Sequence, residues 1–300
     1  MIVTILIVHE ALFTVNTGPG AQLQIDEKSD LFRSGCHLRK GLDSAFDLAL
    51  KYSDKVKYYK IFGERDSGTN LIERMLKLNF GLTKSKIAGT KHMYSFDACA
   101  TVQGAIFEAE RTRSRVLTIF MHRSPFAWLE AMYRNHHEIK INATETFISF
   151  ISRTPFESFV LNTHRNDSYR KYESYKNIFE LRRKKLACFE KVLLSDIGKN
   201  SSHIELISYD FLAKHQRDIL CSLWIHHPLK PTRQSFAIVK GDARPWGQGQ
   251  SINRKKIDMC DHPDALRQIC SSIDWRQEEL FGYTQPTQCQ TKICDPFIIS

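Results

Sequence analysis

The chain has 300 residues, 42% hydrophobic and 25% charged, which suits one large α/β domain or two small ones and excludes a disordered or collagen-like chain. Net charge is +10, so the surplus is either scattered solvated lysine or a preference for anions such as a nucleotide or an acidic glycan. No RNP-type motif, zinc-finger spacing or internal repeat is present, and no nucleic-acid partner is expected.

The first fifteen residues, MIVTILIVHEALFTV, are apolar but too short for a full membrane span. They lack a basic start, and His9 and Glu10 interrupt them. They read equally as the end of a signal-anchor and as a first strand, and a membrane is a partner only in the first case. Residues 16–55 have no strong periodicity, so 1–55 is set apart as a lead-in to a single domain over 56–300.

Tyr58–Phe62 has strand composition and ends at Gly63. Leu71, Ile72, Met75 and Leu76 then fall at helical spacing, with Gly81 as the stop. Residues 87–91 read as a short strand and 96–113 as a helix. VLTIFM, 116–121, is a continuous apolar run, as in a strand covered on both faces. Ser124 and Pro125 open a helix to about 137, whose stripe of Phe126, Leu129, Met132 and Tyr133 reads as core packing. A charged helix is expected over 169–194 with Asp167 or Ser168 as its cap. Its basic run, 181–191, reads as a solvated face, with an acidic-glycan contact as the alternative.

IELIS, 204–208, is another buried-type strand, and 210–225 is its following helix. Beyond about 228 the alternation fades into a long loop and a cysteine-bearing tail. Strands alternating with helices predict an α/β fold, a three-layer parallel sheet flanked by helices.

Eight cysteines include no C-x-x-C pair, which argues against a structural zinc and leaves disulfides or buried thiols. Sequons at Asn142, Asn166 and Asn200 lean towards a glycoprotein of the secretory lumen, with the Golgi favoured over the cytoplasm.

The segment GERDSGTN, Gly63–Asn70, has the G-x-x-x-x-G frame of a phosphate loop between a strand and a helix. Such a unit aims backbone N–H groups and the positive helix end at one spot, which favours an anion. Thr69 and Asn70 stand where an ATPase would carry its lysine and its Mg²⁺-binding hydroxyl. A P-loop nucleotide kinase therefore loses most of its support.

KIFGERDSGTNLIERMLKLNFG resembles the 5′-phosphosulfate loop of the P-loop sulfotransferases, which use 3′-phosphoadenosine 5′-phosphosulfate (PAPS). Ser67–Gly68–Thr69–Asn70 aligns with the S-G-T-T of their usual P-K-S-G-T-T loop. The likeness is greatest to divergent sulfotransferase-domain sequences with a G-E-R-N-S-G-T-N-like loop. Three further motifs follow in the family's order. VLTIFMHRSPFAWLEAMYR puts Arg123 at the 3′-phosphate position, GTKHMY supplies Lys91 and His92 at a strand end, and ISYDFL supplies Tyr209 and Asp210. The likeness spans about 57–225. Later, KGDARPW partly resembles the cofactor-covering loop, through Lys240, Gly241 and Trp246, with Arg244 compensating for Val239.

The resemblance implies a P-loop, sulfotransferase-like fold and PAPS as co-substrate, with no metal. Transfer goes to a hydroxyl or amine acceptor, for which an acidic glycan is one candidate. It implies cofactor contacts from Arg65, Asp66, Ser67, Gly68, Thr69, Asn70, Arg123, Tyr209, Lys240, Gly241 and Arg244. His92 would be the base, with Arg65 and Lys91 as its catalytic neighbours. Two departures stand out: Asp66 occupies the place of the usual loop lysine, and Ala131 that of a serine hydroxyl. They keep open a degenerate P-loop protein that binds an adenine nucleotide or acidic glycan without turnover.

Overall fold

The computed structural model describes residues 56–85, 99, 102–104, 106, 116–134, 144–160, 171–195, 203–227, 229–233, 235–239, 257–287 and 289. Its centre is a parallel sheet of β1 (Tyr58–Gly63), β2 (Thr83–Lys84), β3 (Val116–His122) and β6 (Ile204–Ser208), ordered β2-β1-β3-β6. Every residue of β3 is buried, as its unbroken apolar run requires of a strand with neighbours on both sides.

The two faces of the sheet bury different residues because successive side chains point opposite ways. Tyr59, Ile61, Leu117, Ile119 and Met121 face α1 (Thr69–Phe80) and α6 (Gln216–His226). Phe62 and Phe120 face Leu186 and Phe189 of α4 (Ile178–Leu193). Helices thus cover a parallel sheet on both sides, as expected. A further core joins α2 (Pro125–Arg134), α3 (Phe147–Ser152) and α7 (Pro263–Ser272), and it buries Leu129, Met132 and Tyr133 of the predicted stripe.

Several expectations are corrected. The helix expected over 169–194 begins at Ile178, because Lys171–Tyr175 instead forms β5. This strand pairs antiparallel with β4 (Phe156–Val160). The cap is Asn177, whose side chain accepts from the Glu180 N–H at 2.9 Å, while Glu180 reaches back to the Lys176 N–H. The predicted caps Asp167 and Ser168 lie outside the described residues. The basic run on α4 is not uniformly solvated, since Arg182 and Lys185 are buried. The helix predicted over 210–225 is two, α5 (Tyr209–Lys214) and α6, separated by a non-helical His215 whose ring stacks on Phe211 at 4.4 Å.

The tail also holds more structure than predicted, namely a short 3₁₀ turn, α7 and α8 (Trp275–Glu279). Pro263 stands at the first turn of α7, where its missing N–H costs nothing. The predicted strand at 87–91 lies outside the described residues. Of 96–113, Cys99, Val102–Gly104 and Ile106 are described, and all are helical.

Two side-chain amides bind the segment that follows α6. Asn79 of α1 donates to the Ala237 carbonyl at 3.1 Å and accepts from its N–H at 2.7 Å. Gln216 does the same for Val239, at 3.1 and 2.8 Å. Disulfides join Cys99 to Cys188 and Cys270 to Cys289, and Cys221 is also bonded. The disulfide alternative holds, and it points to an oxidising compartment. Among the described residues no helix is long and apolar enough to cross a membrane.

Candidate functional site

The register brings Gly63 level with Met121 and His122 level with Ser208, so β1, β3 and β6 finish along one edge of the sheet. Crevices at the carboxyl ends of parallel strands are where open α/β sheets bind ligands. The segments that follow, 64–68, 123–124 and 209–210, meet there.

The loop Glu64–Gly68 is shaped by its glycines and by close packing. A Cβ at Gly63 would lie 2.6 Å from Thr69 Cγ2, 2.7 Å from Ser67 Oγ and 2.9 Å from Met121 Cβ. Gly68 has φ 82 and lies flat against Tyr209, whose ring would stand 2.1 Å from an added Cβ. Asp66 takes φ 55, a left-handed conformation that aspartate and asparagine tolerate better than other side chains. The Ser67 hydroxyl donates to the Glu64 carbonyl at 2.6 Å, inside the loop. Leu71 and Ile72 N–H groups return to the Gly68 carbonyl to start α1, and no side chain caps this helix. Its positive end therefore faces the crevice.

Arg123 joins the loop from the end of β3. It donates to the Asp66 carbonyl at 3.0 Å, and its guanidinium lies over the Tyr209 ring at 4.5 Å. Its Nε finds no hydrogen-bond partner among the described residues. Of the predicted site, Arg65, Asp66, Ser67, Gly68, Thr69, Asn70, Arg123 and Tyr209 come together at this edge. Lys91, His92, Lys240, Gly241 and Arg244 lie outside the described residues. Ala131 is buried on α2.

Burial pushes the Asp66 carboxyl up to about 7, against the pull of Arg65 and Arg123. The side chain keeps part of its surface, but the carboxyl sits deep enough in the loop for desolvation to dominate. It therefore holds its proton to far higher pH than an exposed aspartate does. Arg65 is buried, at 4% exposure. Burial lowers the Lys185 ammonium to about 8, and the Arg65 charge pushes it the same way.

Beneath the loop lies a charged cluster that the sequence reading did not anticipate. Arg182 donates to Glu278 through Nε and one Nη, to Glu64 Oε2 at 2.9 Å, and to the Arg123 carbonyl at 2.7 Å. Burial alone would pull the Arg182 guanidinium down, but Glu64 and Glu278 hold it well above its usual range. Glu64 is pushed up by burial and by Glu278, against Arg182. Nearby, one Asp210 oxygen accepts from the Ser124 N–H at 2.7 Å and from the Tyr283 hydroxyl at 3.0 Å. The sole hint of this cluster in the sequence was Arg182, at a position of α4 that helical spacing places with Lys185 and Leu186.

The fold and site define an α/β protein with a parallel sheet, a glycine-shaped loop and an arginine at its carboxyl edge. Compared with family models, with curated proteins and with solved structures, the chain matches none.

Proposed function

We propose that this chain is a PAPS-dependent sulfotransferase acting in the secretory lumen, with the Golgi as the favoured compartment. The observation that carries the reading is Arg123. It is held against the loop by the Asp66 carbonyl and stacked on Tyr209, with Nε unpartnered among the described residues. A second phosphate beside a loop-bound 5′-phosphate would meet the part-exposed guanidinium of Arg123, as the 3′-phosphate of PAPS requires. The uncapped start of α1 supports the 5′-phosphate, and the disulfides support the compartment.

In the proposed reaction the acceptor oxygen or nitrogen forms a bond to sulfur as the bond from sulfur to the 5′-phosphate oxygen breaks. His92 takes the acceptor's proton, and 3′-phosphoadenosine 5′-phosphate leaves. Catalysis of this in-line kind is mainly positioning and charge stabilisation. Arg65 and Lys91 are the proposed sources of positive charge near the leaving phosphate, in place of the loop lysine. Protonation of Asp66 removes a negative charge that would otherwise oppose it. An acidic glycan is the proposed acceptor class, but Arg182 and Lys185 are inside and cannot contribute to a surface for it.

The test compares thermal stabilisation by 3′-phosphoadenosine 5′-phosphate with that by ATP and Mg²⁺, followed by a sulfate-transfer assay. Ligand at 100 times its Kd adds about 2.7 kcal/mol of apparent stability. Arg123→Ala should weaken 3′-phosphoadenosine 5′-phosphate far more than AMP. Equal weakening of both would remove Arg123 from the 3′-phosphate site. Asp66 at the lysine position favours a second reading, nucleotide binding without turnover. Stabilisation by the nucleotide together with no transfer to any acceptor would select it.

A further inference from the structure

We infer that the C-terminal segment 274–283 positions the two halves of this site, Glu278 acting through Arg182 and Tyr283 acting through Asp210. The inference rests on reading the site as one for a nucleotide carrying 3′- and 5′-phosphates.

Glu278 is 2% exposed and binds two nitrogens of Arg182. The remaining contacts of that planar fork go to Glu64, the first residue of the loop, and to the carbonyl of Arg123. Its face lies over Trp128 at 5.0 Å, which fixes its plane. One guanidinium thus sets the spacing between the loop that would hold the 5′-phosphate and the arginine that would hold the 3′-phosphate.

Tyr283 makes a separate link. Its hydroxyl donates to Asp210 Oδ2 at 3.0 Å and accepts from Ser208 Oγ at 2.8 Å. The same oxygen accepts from Ser124 N–H, the residue after Arg123. This link ties the ends of β3 and β6 but does not reach the loop. The segment is itself well held, by Asp274 capping α8, by buried Phe281 and by the Cys270–Cys289 disulfide just outside it. The side-chain hydrogen bonds of Glu278 and Tyr283 go to Arg182, Ser208 and Asp210, one step removed from Arg123's guanidinium, so they are positioning residues.

The two links lead to different outcomes. Tyr283→Phe should raise the Kd for 3′-phosphoadenosine 5′-phosphate about tenfold and leave that for 5′-AMP within about twofold. Glu278→Gln should weaken both nucleotides. Hydrogen exchange at the Ser124 amide should quicken about tenfold or more in Tyr283→Phe and stay near wild type in Glu278→Gln. A residue that merely held the fold together would weaken both nucleotides equally in both variants, and that result would overturn the inference. Unchanged exchange at Ser124 in Tyr283→Phe would also overturn it. If the wild type bound neither nucleotide, the functional reading would fail, and the exchange result alone would decide the positioning role. Should Tyr283→Phe not fold, Ser208→Ala loosens the same hydroxyl and must give the same pattern.

Discussion

Replacing Asp66 by asparagine isolates the effect of a buried carboxyl at the turn of the loop. Asparagine accepts the left-handed φ of 55 at least as readily as aspartate, so the backbone is left alone. What changes is ionisation. In the unfolded chain the aspartate titrates near ~3.9, whereas burial in the folded loop moves it up to about 7. The folded state therefore binds the proton more tightly. Below pH ~4 both states are protonated and the loop carries no penalty. As pH rises from there to about 7, the unfolded chain gives up its proton while the folded loop retains it, so stability falls across that window and then levels off.

Three pKa units correspond to a ceiling of about 4 kcal/mol. The side chain is partly open to solvent, and screening and relaxation bring the expected loss to about 2 kcal/mol. Asp66→Asn should match wild type at pH 4 and exceed it by about 2 kcal/mol at pH 8, or about 4–6 °C in Tm. Thermal unfolding of both proteins from pH 4 to 8.5, taken as a difference, cancels the other buried titrating groups. At pH 8 the variant should also bind 3′-phosphoadenosine 5′-phosphate roughly tenfold tighter, since a like charge is gone from the loop. A difference that stayed constant with pH, or that favoured wild type at pH 8, would refute a raised Asp66.

Gly68→Ala forces a Cβ into the Tyr209 ring and disfavours the left-handed backbone; calorimetry should show a stability loss of about 2–4 kcal/mol and more than tenfold weaker nucleotide binding, because Arg123 loses its aromatic platform. Arg182→Ala leaves Glu64 and Glu278 buried without their counter-charge and should cost about 3–5 kcal/mol in urea unfolding; lysine, lacking the planar fork, should recover less than half of that loss. His92→Ala should lower turnover roughly 10²–10⁴-fold with nucleotide binding nearly intact, as measured by sulfate transfer alongside calorimetry, and near-normal turnover would end its role as base.

The sheet was legible because its strands are unusually plain in sequence. Tyr58–Phe62, Val116–Met121 and Ile204–Ser208 are short β-prone runs, ended by Gly63, by the His-Arg-Ser-Pro of 122–125 and by the helix that starts at Tyr209, and all three are strands. Gly81 ends α1 in the left-handed conformation that its position suggested. The errors came where a charged pattern suits two structures. Lys171–Tyr175 has enough polar residues to pass for a helix, but it is rich in tyrosine, which strands favour, and it finds a partner in Phe156–Val160. The start of α4 was written in Asn177 and Glu180, a reciprocal cap that a longer charged pattern hid. The loop and Arg123 could be found from motifs because each lies next to a strand end. The Arg182 cluster could not, since its partners come from residues 64, 123 and 278 and meet through tertiary packing alone.

The strand order also sets a timetable. In the sheet Tyr58 pairs with Val116, and Thr118 with Ile204, so no two neighbouring long strands are close in the chain. Parallel neighbours of this kind cannot zip from a hairpin, and loop closure must precede any reward from pairing. During synthesis about 150 residues separate the emergence of β1 from that of β6, which at 5–20 residues per second is roughly 8–30 s. Throughout that interval KIF and VLTIFM wait as apolar, β-prone segments with incomplete cover. The thiol of Cys188 also appears before β6 does, so Cys99 and Cys188 can bridge before the sheet is complete. Chaperone demand and yield on expression should therefore depend on what holds these two strands apart from other chains in the first half-minute of the protein's existence.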